Sequence, residues 1–500
     1  MKKNLSCFLF LIFILVSCEY AEEDGIYSGG YYLETLDGVP TGGFPVDTDN
    51  SGENYNEIVE NPFMKVSEEP VSTFSIDADG ASFSNVRRFI DYGQKPPLGS
   101  IRTEELVNYF TYNYADPSGD ESVAVNGEVS SCPWNENHKL IRIGIKGKSV
   151  SQQEMPKANF VLLIDVSGSM GGEDKLPLLR KGFINFAEQM RPEDRIAIVT
   201  YSGNAGVALP STPGSQKSKI TQAIGKLGAG GSTAGAQGII TAYEIAAQNF
   251  IEGGNNRVIL GTDGDFNVGI SSQEELINLI EQKRDQGIFL TVVGYGTGNL
   301  QEGMMEQIAN HGNGNFEYID KLEQSDKVFI KEYSKFLTVA KDVKVQVKFN
   351  AAQVEAYRLI GYENRLLEEE DFEDDKKDAG EIGAGQTITA LYEIKPAQKV
   401  NYRLANYFTI QFRYKQPDQN ESRLLELEVA NQGKSFAQAS EDMRFAAATA
   451  GFGLLLRDSD FKGNLNYGQV KEWAINAMNF NPNGYKNELI KLIDKGKNLK

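Results

Sequence analysis

The chain has 500 residues, of which 69 are acidic and 50 basic, for a formal net charge of −19. The length predicts two to four domains. The ordinary apolar content (40 %) excludes wholesale disorder, and the acidic balance excludes a general nucleic-acid binder. A polar overall composition with one long apolar run, at the N-terminus, excludes a multi-pass membrane protein.

The first 18 residues, MKKNLSCFLFLIFILVSC, place Lys2 and Lys3 before an apolar run from Leu5 to Val16. That run suits a signal peptide and is too short to span a bilayer. Leu15-Val16-Ser17-Cys18 resembles a bacterial lipobox, which implies cleavage before Cys18 and acylation of that cysteine. Two or more acyl chains anchor stably where one does not. The expected location is therefore the bacterial cell envelope, lipid-anchored, with the outer membrane favoured. Beyond the leader only Cys132 remains, so no intramolecular disulfide is expected. Two histidines, His138 and His311, are too few and too distant for a His-based zinc site.

Residues 19–60, rich in Gly, Asp, Asn, Thr and Tyr without apolar periodicity, are expected to form a flexible tether. A flanking α+β region is expected over 61–157, with a strand at 71–76, helices over 82–92 and 101–109, and strands at 122–129 and 139–146. From residue 158 to 337 the rhythm changes. Apolar runs at 160–164, 196–200, 257–260 and 288–293 alternate with helical stretches at 176–190, 216–227, 234–250 and 272–286. This pattern predicts an α/β domain with a doubly wound, mostly parallel sheet. Period-two alternation returns at Val343–Phe349, Phe408–Tyr414 and Leu425–Val429, predicting a β-rich, sandwich-like region over 338–435. If the strands before residue 150 complete it, the α/β domain is inserted into it. Residues 436–500 are expected to be helical.

Strand 160–164 ends in Asp165-Val166-Ser167-Gly168-Ser169-Met170. Ligands of open α/β sheets bind outside the carboxyl ends of the strands. Two further pieces fall at matching places: Thr233 in the Gly-rich loop Gly230-Gly231-Ser232-Thr233-Ala234, and Asp263 in Gly261-Thr262-Asp263-Gly264. Two carboxylates and three hydroxyls select a hard dication. Mg²⁺ suits a small six-coordinate oxygen site best, with Mn²⁺ or Ca²⁺ as alternatives. The two carboxylates balance the ion's charge and the hydroxyls donate weakly, so the ion stays electrophilic. A partner's carboxylate could then fill an open position.

This arrangement resembles the von Willebrand factor type A domain and its metal-ion-dependent adhesion site, over residues 158–337. The resemblance implies metal ligation by Asp165, Ser167, Ser169, Thr233 and Asp263, with the hydroxyls in direct contact and the aspartates often acting through water. Gly171-Gly172 separates this motif from Glu173-Asp174, which argues against the second adjacent ion of some members. The flanks, including Asn61-Pro62-Phe63, Ser72–Asp77, Tyr357–Arg365 and Arg444–Arg457, resemble bacterial envelope lipoproteins carrying this domain. The implied function is a membrane-anchored, metal-dependent module that captures an acidic group of a protein partner. The alternative is a structural or assembly subunit of an envelope complex in which the metal site is incidental. No catalytic residue is assigned, because no Ser-His-Asp order and no nucleophile elbow is present, and a non-enzyme is expected. The acidic run Glu368–Asp375, with seven acids in eight positions, is read as a solvated loop.

Overall fold

The computed structural model describes residues 46–48, 52–76, 79–231, 235–264, 273–398, 406–430 and 433–499. The leader, with Cys18, and Thr233 lie outside the described residues. The described chain opens with short strands β1 (Val46–Thr48), β2 (Asn54–Asn56), β3 (Met64–Lys65) and β4 (Val71–Ser75). Helices α1 (Ala81–Asp91) and α2 (Thr103–Asn108) follow, then the hairpin β5 (Val123–Ser131) and β6 (Lys139–Gly147).

The expectation of a flexible tether through residue 60 fails for residues 52–56. Tyr55 is fully buried, and Glu53 takes two 2.7 Å bonds from the Arg88 guanidinium on α1. The segment is polar in sequence because its partner is a buried arginine rather than an apolar face, so it shows no periodicity.

The central region runs β7 (Ala158–Asp165), α3 (Leu176–Gln189), β8 (Arg195–Tyr201), β9 (Ala205–Pro213), α4 (Lys217–Gly225), α5 (Gly235–Gln248), β10 (Asn255–Thr262), α6 (Gln273–Asp285), β11 (Ile288–Tyr295), α7 (Glu302–His311), β12 (Phe316–Ile319) and α8 (Leu322–Asp326). Its six-stranded sheet has the order β12-β11-β10-β7-β8-β9, parallel except for β9. Strands β7 and β10 are buried along their whole length because helices cover both faces, which is why they read as continuous apolar runs. Edge strand β9 is half exposed and β12 has four residues, so neither carries such a run.

Beyond it lie β13 (Thr338–Phe349), β14 (Val354–Ile360), β15 (Leu366–Leu367), β16 (Gly380–Gly383), β17 (Thr387–Pro396), β18 (Asn406–Lys415) and β19 (Ser422–Ala430), then helices α9 (Glu441–Leu456), α10 (Tyr467–Ile475) and α11 (Lys486–Gly496). Strands from both ends of the chain build two mixed-origin sheets. One has the order β15-β4-β13-β18-β19, with β16 also on β13, and the other β3-β14-β17-β6-β5. The flank before residue 150 and the β-rich region after 338 are thus one pair of sheets rather than two successive regions, with the parallel-sheet segment inserted between them. Val345 and Ile410 of the first sheet share a core with Ile143 and Tyr392 of the second. The second sheet's other face, through Leu140, Ile360 and Leu391, joins the helical core with Phe110, Phe445 and Phe452.

Helix α9 is buried along nearly its whole length, so the C-terminal helices belong to the core rather than forming a detachable contact element. A buried arginine ties them to the parallel-sheet region. Arg87 on α1 donates to Asp320 after β12 (2.5 and 2.7 Å) and to Glu488 on α11 (2.6 Å). Burial in this paired setting makes the network costly to break on one side, by about 3–5 kcal/mol.

Candidate metal centre

Strands β7 and β10 are parallel neighbours with Ile164 opposite Gly261, so Asp165 and Asp263 emerge at the same rim of the sheet. Asp165, Ser167 and Asp263 are buried, whereas Ser169 and Gly231 face solvent. The site therefore has a buried acidic floor and an open mouth. The D-x-S-x-S turn is held by its own backbone: the Ser167 N–H donates to Asp165 Oδ1 at 2.8 Å. The other oxygen, Oδ2, accepts from Tyr201 Oη at 3.2 Å and Thr262 Oγ1 at 3.1 Å. Burial holds the Asp165 carboxyl above the usual carboxylate range; the nearby Asp263 charge adds to the shift, and the Ser167 N–H opposes it.

The third loop is attached to the first through backbone bonds. Gly168 N donates to Gly231 O at 3.0 Å, and Gly230 N to Val166 O at 2.7 Å. Gly230 and Gly231 thus lie against the D-x-S-x-S turn, while Thr233 itself is outside the described residues.

The donors fit a small dication on two counts. Ser167 Oγ and Ser169 Oγ are hydrogen-bonded to each other at 2.9 Å, a separation that an ion could take over without moving them. Adjacent ligands of an octahedral ion with bonds of ~2.05 Å are about 2.9 Å apart. In addition, Asp263 Oδ1 is buried and has no hydrogen-bond partner among the described residues. Such an orphaned carboxylate oxygen is costly unless a cation meets it.

Sequence reasoning missed four residues around this rim. Tyr201 ends β8 directly opposite Asp165, a position readable from the strand ends. Thr262 precedes Asp263 and bonds Asp165. Lys175 Nζ sits 2.9 Å from Asp263 Oδ2 and 3.2 Å from Asn299 Oδ1. The loop after β11 that carries Asn299 packs on Gly264, where an added Cβ would fall 2.2 Å from the Asn299 carbonyl oxygen. The same loop is gripped from outside by the N-terminal segment: Gly298 N donates to Glu53 Oε1 at 2.9 Å, and Asn54 N to Leu300 O at 2.8 Å. Neither Lys175 nor Asn299 has a sequence signature, since a lysine before a helix and an asparagine in a turn are commonplace.

Three family models match the chain: von Willebrand factor over residues 49–142, von Willebrand factor type A domain over 159–331, and the C-terminal region of "Uncharacterized protein YfbK" over 334–499. "Uncharacterized protein YfbK" of Escherichia coli (strain K12) is 41% identical over 465 residues, covering 88% of this chain and 80% of that protein. The chain belongs to the YfbK family of von Willebrand factor type A domain proteins. A UPF0353 protein of Mycolicibacterium gilvum (strain PYR-GCK) is 27% identical over 216 residues, 38% of this chain and 64% of that protein. Among solved structures, a von Willebrand factor type A protein from Catenulispora acidiphila aligns over 77% of this chain and 91% of its own, with 14% identity and a TM-score of 0.44. The family match thus extends through both flanks of the type A domain.

Proposed function

We propose that this YfbK-family protein is a lipid-anchored binding module of the bacterial envelope, tethered through Cys18, that uses a divalent ion at its sheet rim to capture a carboxylate of a protein partner. Asp165, Ser167, Ser169, Thr233 and Asp263 would hold the ion, Mg²⁺ by donor chemistry. The ion would supply an electrophilic position that an acidic side chain can fill. The observation that carries this reading is the buried Asp263 Oδ1, unpartnered among the described residues, at the same sheet rim as two serine hydroxyls at octahedral spacing, Ser167 buried and Ser169 facing solvent. The protein's own groups do the rest. Tyr201 and Thr262 orient Asp165, and the Ser167 N–H fixes the turn.

The test is a pull-down from envelope extract with the full chain as bait. Capture is expected with Mg²⁺, and its loss is expected both with EDTA and in Asp165→Ala. Capture that persists in both would overturn the reading.

A further inference from the structure

Lys175 is the one cation that hydrogen-bonds a predicted metal ligand among the described residues. It stands immediately before α3, ten positions after Asp165, with its N–H bonded to the Gly172 carbonyl at 3.0 Å. Its stem crosses the loop after β11 at Gly296, which has φ +73°. A Cβ at Gly296 would fall 2.3–2.8 Å from Cγ, Cδ and Cε of the lysine, so the glycine leaves the room that the lysine stem occupies. At the end of the track the ammonium meets Asp263 Oδ2 and Asn299 Oδ1 while Asp263 Oδ1 stays free. Lys175 is 12% exposed and Asp263 fully buried, so solvent screens the pair weakly.

The charge count then differs from that of the five predicted ligands alone. Two aspartates bring −2, and Lys175 reduces this to −1, so a bound dication leaves the rim one unit positive. We infer that Lys175 is a built-in counter-charge that loosens the rim's hold on its dication and makes that hold depend on an incoming carboxylate. Metal and acidic partner then bind with positive linkage, each raising the affinity of the other by the same factor. The inference rests on the metal reading above and adds the partner's charge as a condition for stable ion binding.

Calorimetric titration of the full chain with Mn²⁺, with and without acetate as the carboxylate probe, tests it. Wild type is expected to bind Mn²⁺ more tightly with acetate present. Lys175→Met is expected to bind Mn²⁺ at least fivefold more tightly than wild type without acetate and to lose most of the acetate effect. Lys175→Gln should behave as Lys175→Met and supplies the neutral comparison should methionine disturb the fold; Lys175→Arg, which keeps the charge, should stay near the wild-type Kd. A folded neutral variant that binds Mn²⁺ no more tightly than wild type overturns this inference and leaves the metal reading standing. Absence of uptake in every variant overturns the metal reading and this inference with it. Without acetate, uptake in the neutral variants but not in wild type, with wild-type uptake restored by acetate, supports the inference in its strongest form, with the lysine displacing the ion.

Discussion

Two groups of carboxylates in this protein look alike in composition and differ in what surrounds them. At the rim, Asp165 and Asp263 stand with two serine hydroxyls and one ammonium, and one buried carboxylate oxygen has no partner among the described residues. Where β13 and β16 pair, Asp342, Asp378 and Glu381 bring carboxylate oxygens within 4.8 Å of one another. This trio already has its cations: Arg284 lies 2.6 Å from Asp378, and Lys415 lies 2.7 Å from Asp342. Burial disfavours the remaining charge. It pushes Glu381 well above the ordinary carboxylate range and Asp378 up to about 6, with Asp342 adding to both shifts. The trio's three acids face two bases and burial disfavours ionisation of the third, whereas the rim's two acids face one base beside hydroxyl donors and an open mouth. Glu381 Oε1 is likewise buried without a hydrogen-bond partner among the described residues, so neither the number of acids nor an unanswered oxygen marks a cation site by itself; the accompanying hydroxyl donors and the open mouth are the better guide.

The largest expected effect separates the two groups directly. Asp263→Ala should weaken Mn²⁺ binding by ~100-fold or more by calorimetry, since it removes both the free oxygen and half the acid charge of the rim. Tyr201→Phe removes only the phenol that orients Asp165 and should cost about tenfold, the scale of groups that support a ligand. At the trio the expected effect is on stability and depends on pH. A carboxyl whose pKa is raised on folding stabilises the fold while protonated and loses that contribution as pH rises through its folded value. The trio should therefore weaken the protein as pH climbs through about 6, the Asp378 value. Glu381→Gln should raise the melting temperature by a few degrees at pH 8 and leave it nearly unchanged at pH 4. The smallest effect is the sharpest contrast: Asp342→Asn should leave Mn²⁺ uptake at the wild-type Kd. A drop there would place the ion at the wrong carboxylates and collapse the comparison.

Much of the site could be read from residue order, because ligands of a parallel sheet sit at strand ends and those strands are continuous apolar runs. Asp165, Ser167, Ser169, Thr233 and Asp263 could be nominated on that ground; the structure brings the β7 and β10 ends that carry Asp165 and Asp263 to one rim, and Thr233 lies outside the described residues. The supporting shell could not. Lys175 reaches Asp263 across 88 residues, and Glu53 reaches Gly298 across 245, so no local pattern marks either contact. The same physics explains the missed strands. β14 and β17 lie between the other sheet and the helices, so both faces are buried and the period-two signal vanishes. β18, which kept its alternation, was readable.

The central claim is that the sheet rim holds one dication through Asp263. Titrating the full chain with Mn²⁺ and comparing it with Asp263→Asn, an isosteric change that removes the charge and retains the shape, tests this most directly. The account predicts a single saturable site in wild type that is lost or greatly weakened in the variant. No uptake by wild type with acetate present, or equal uptake by the two proteins, would contradict it.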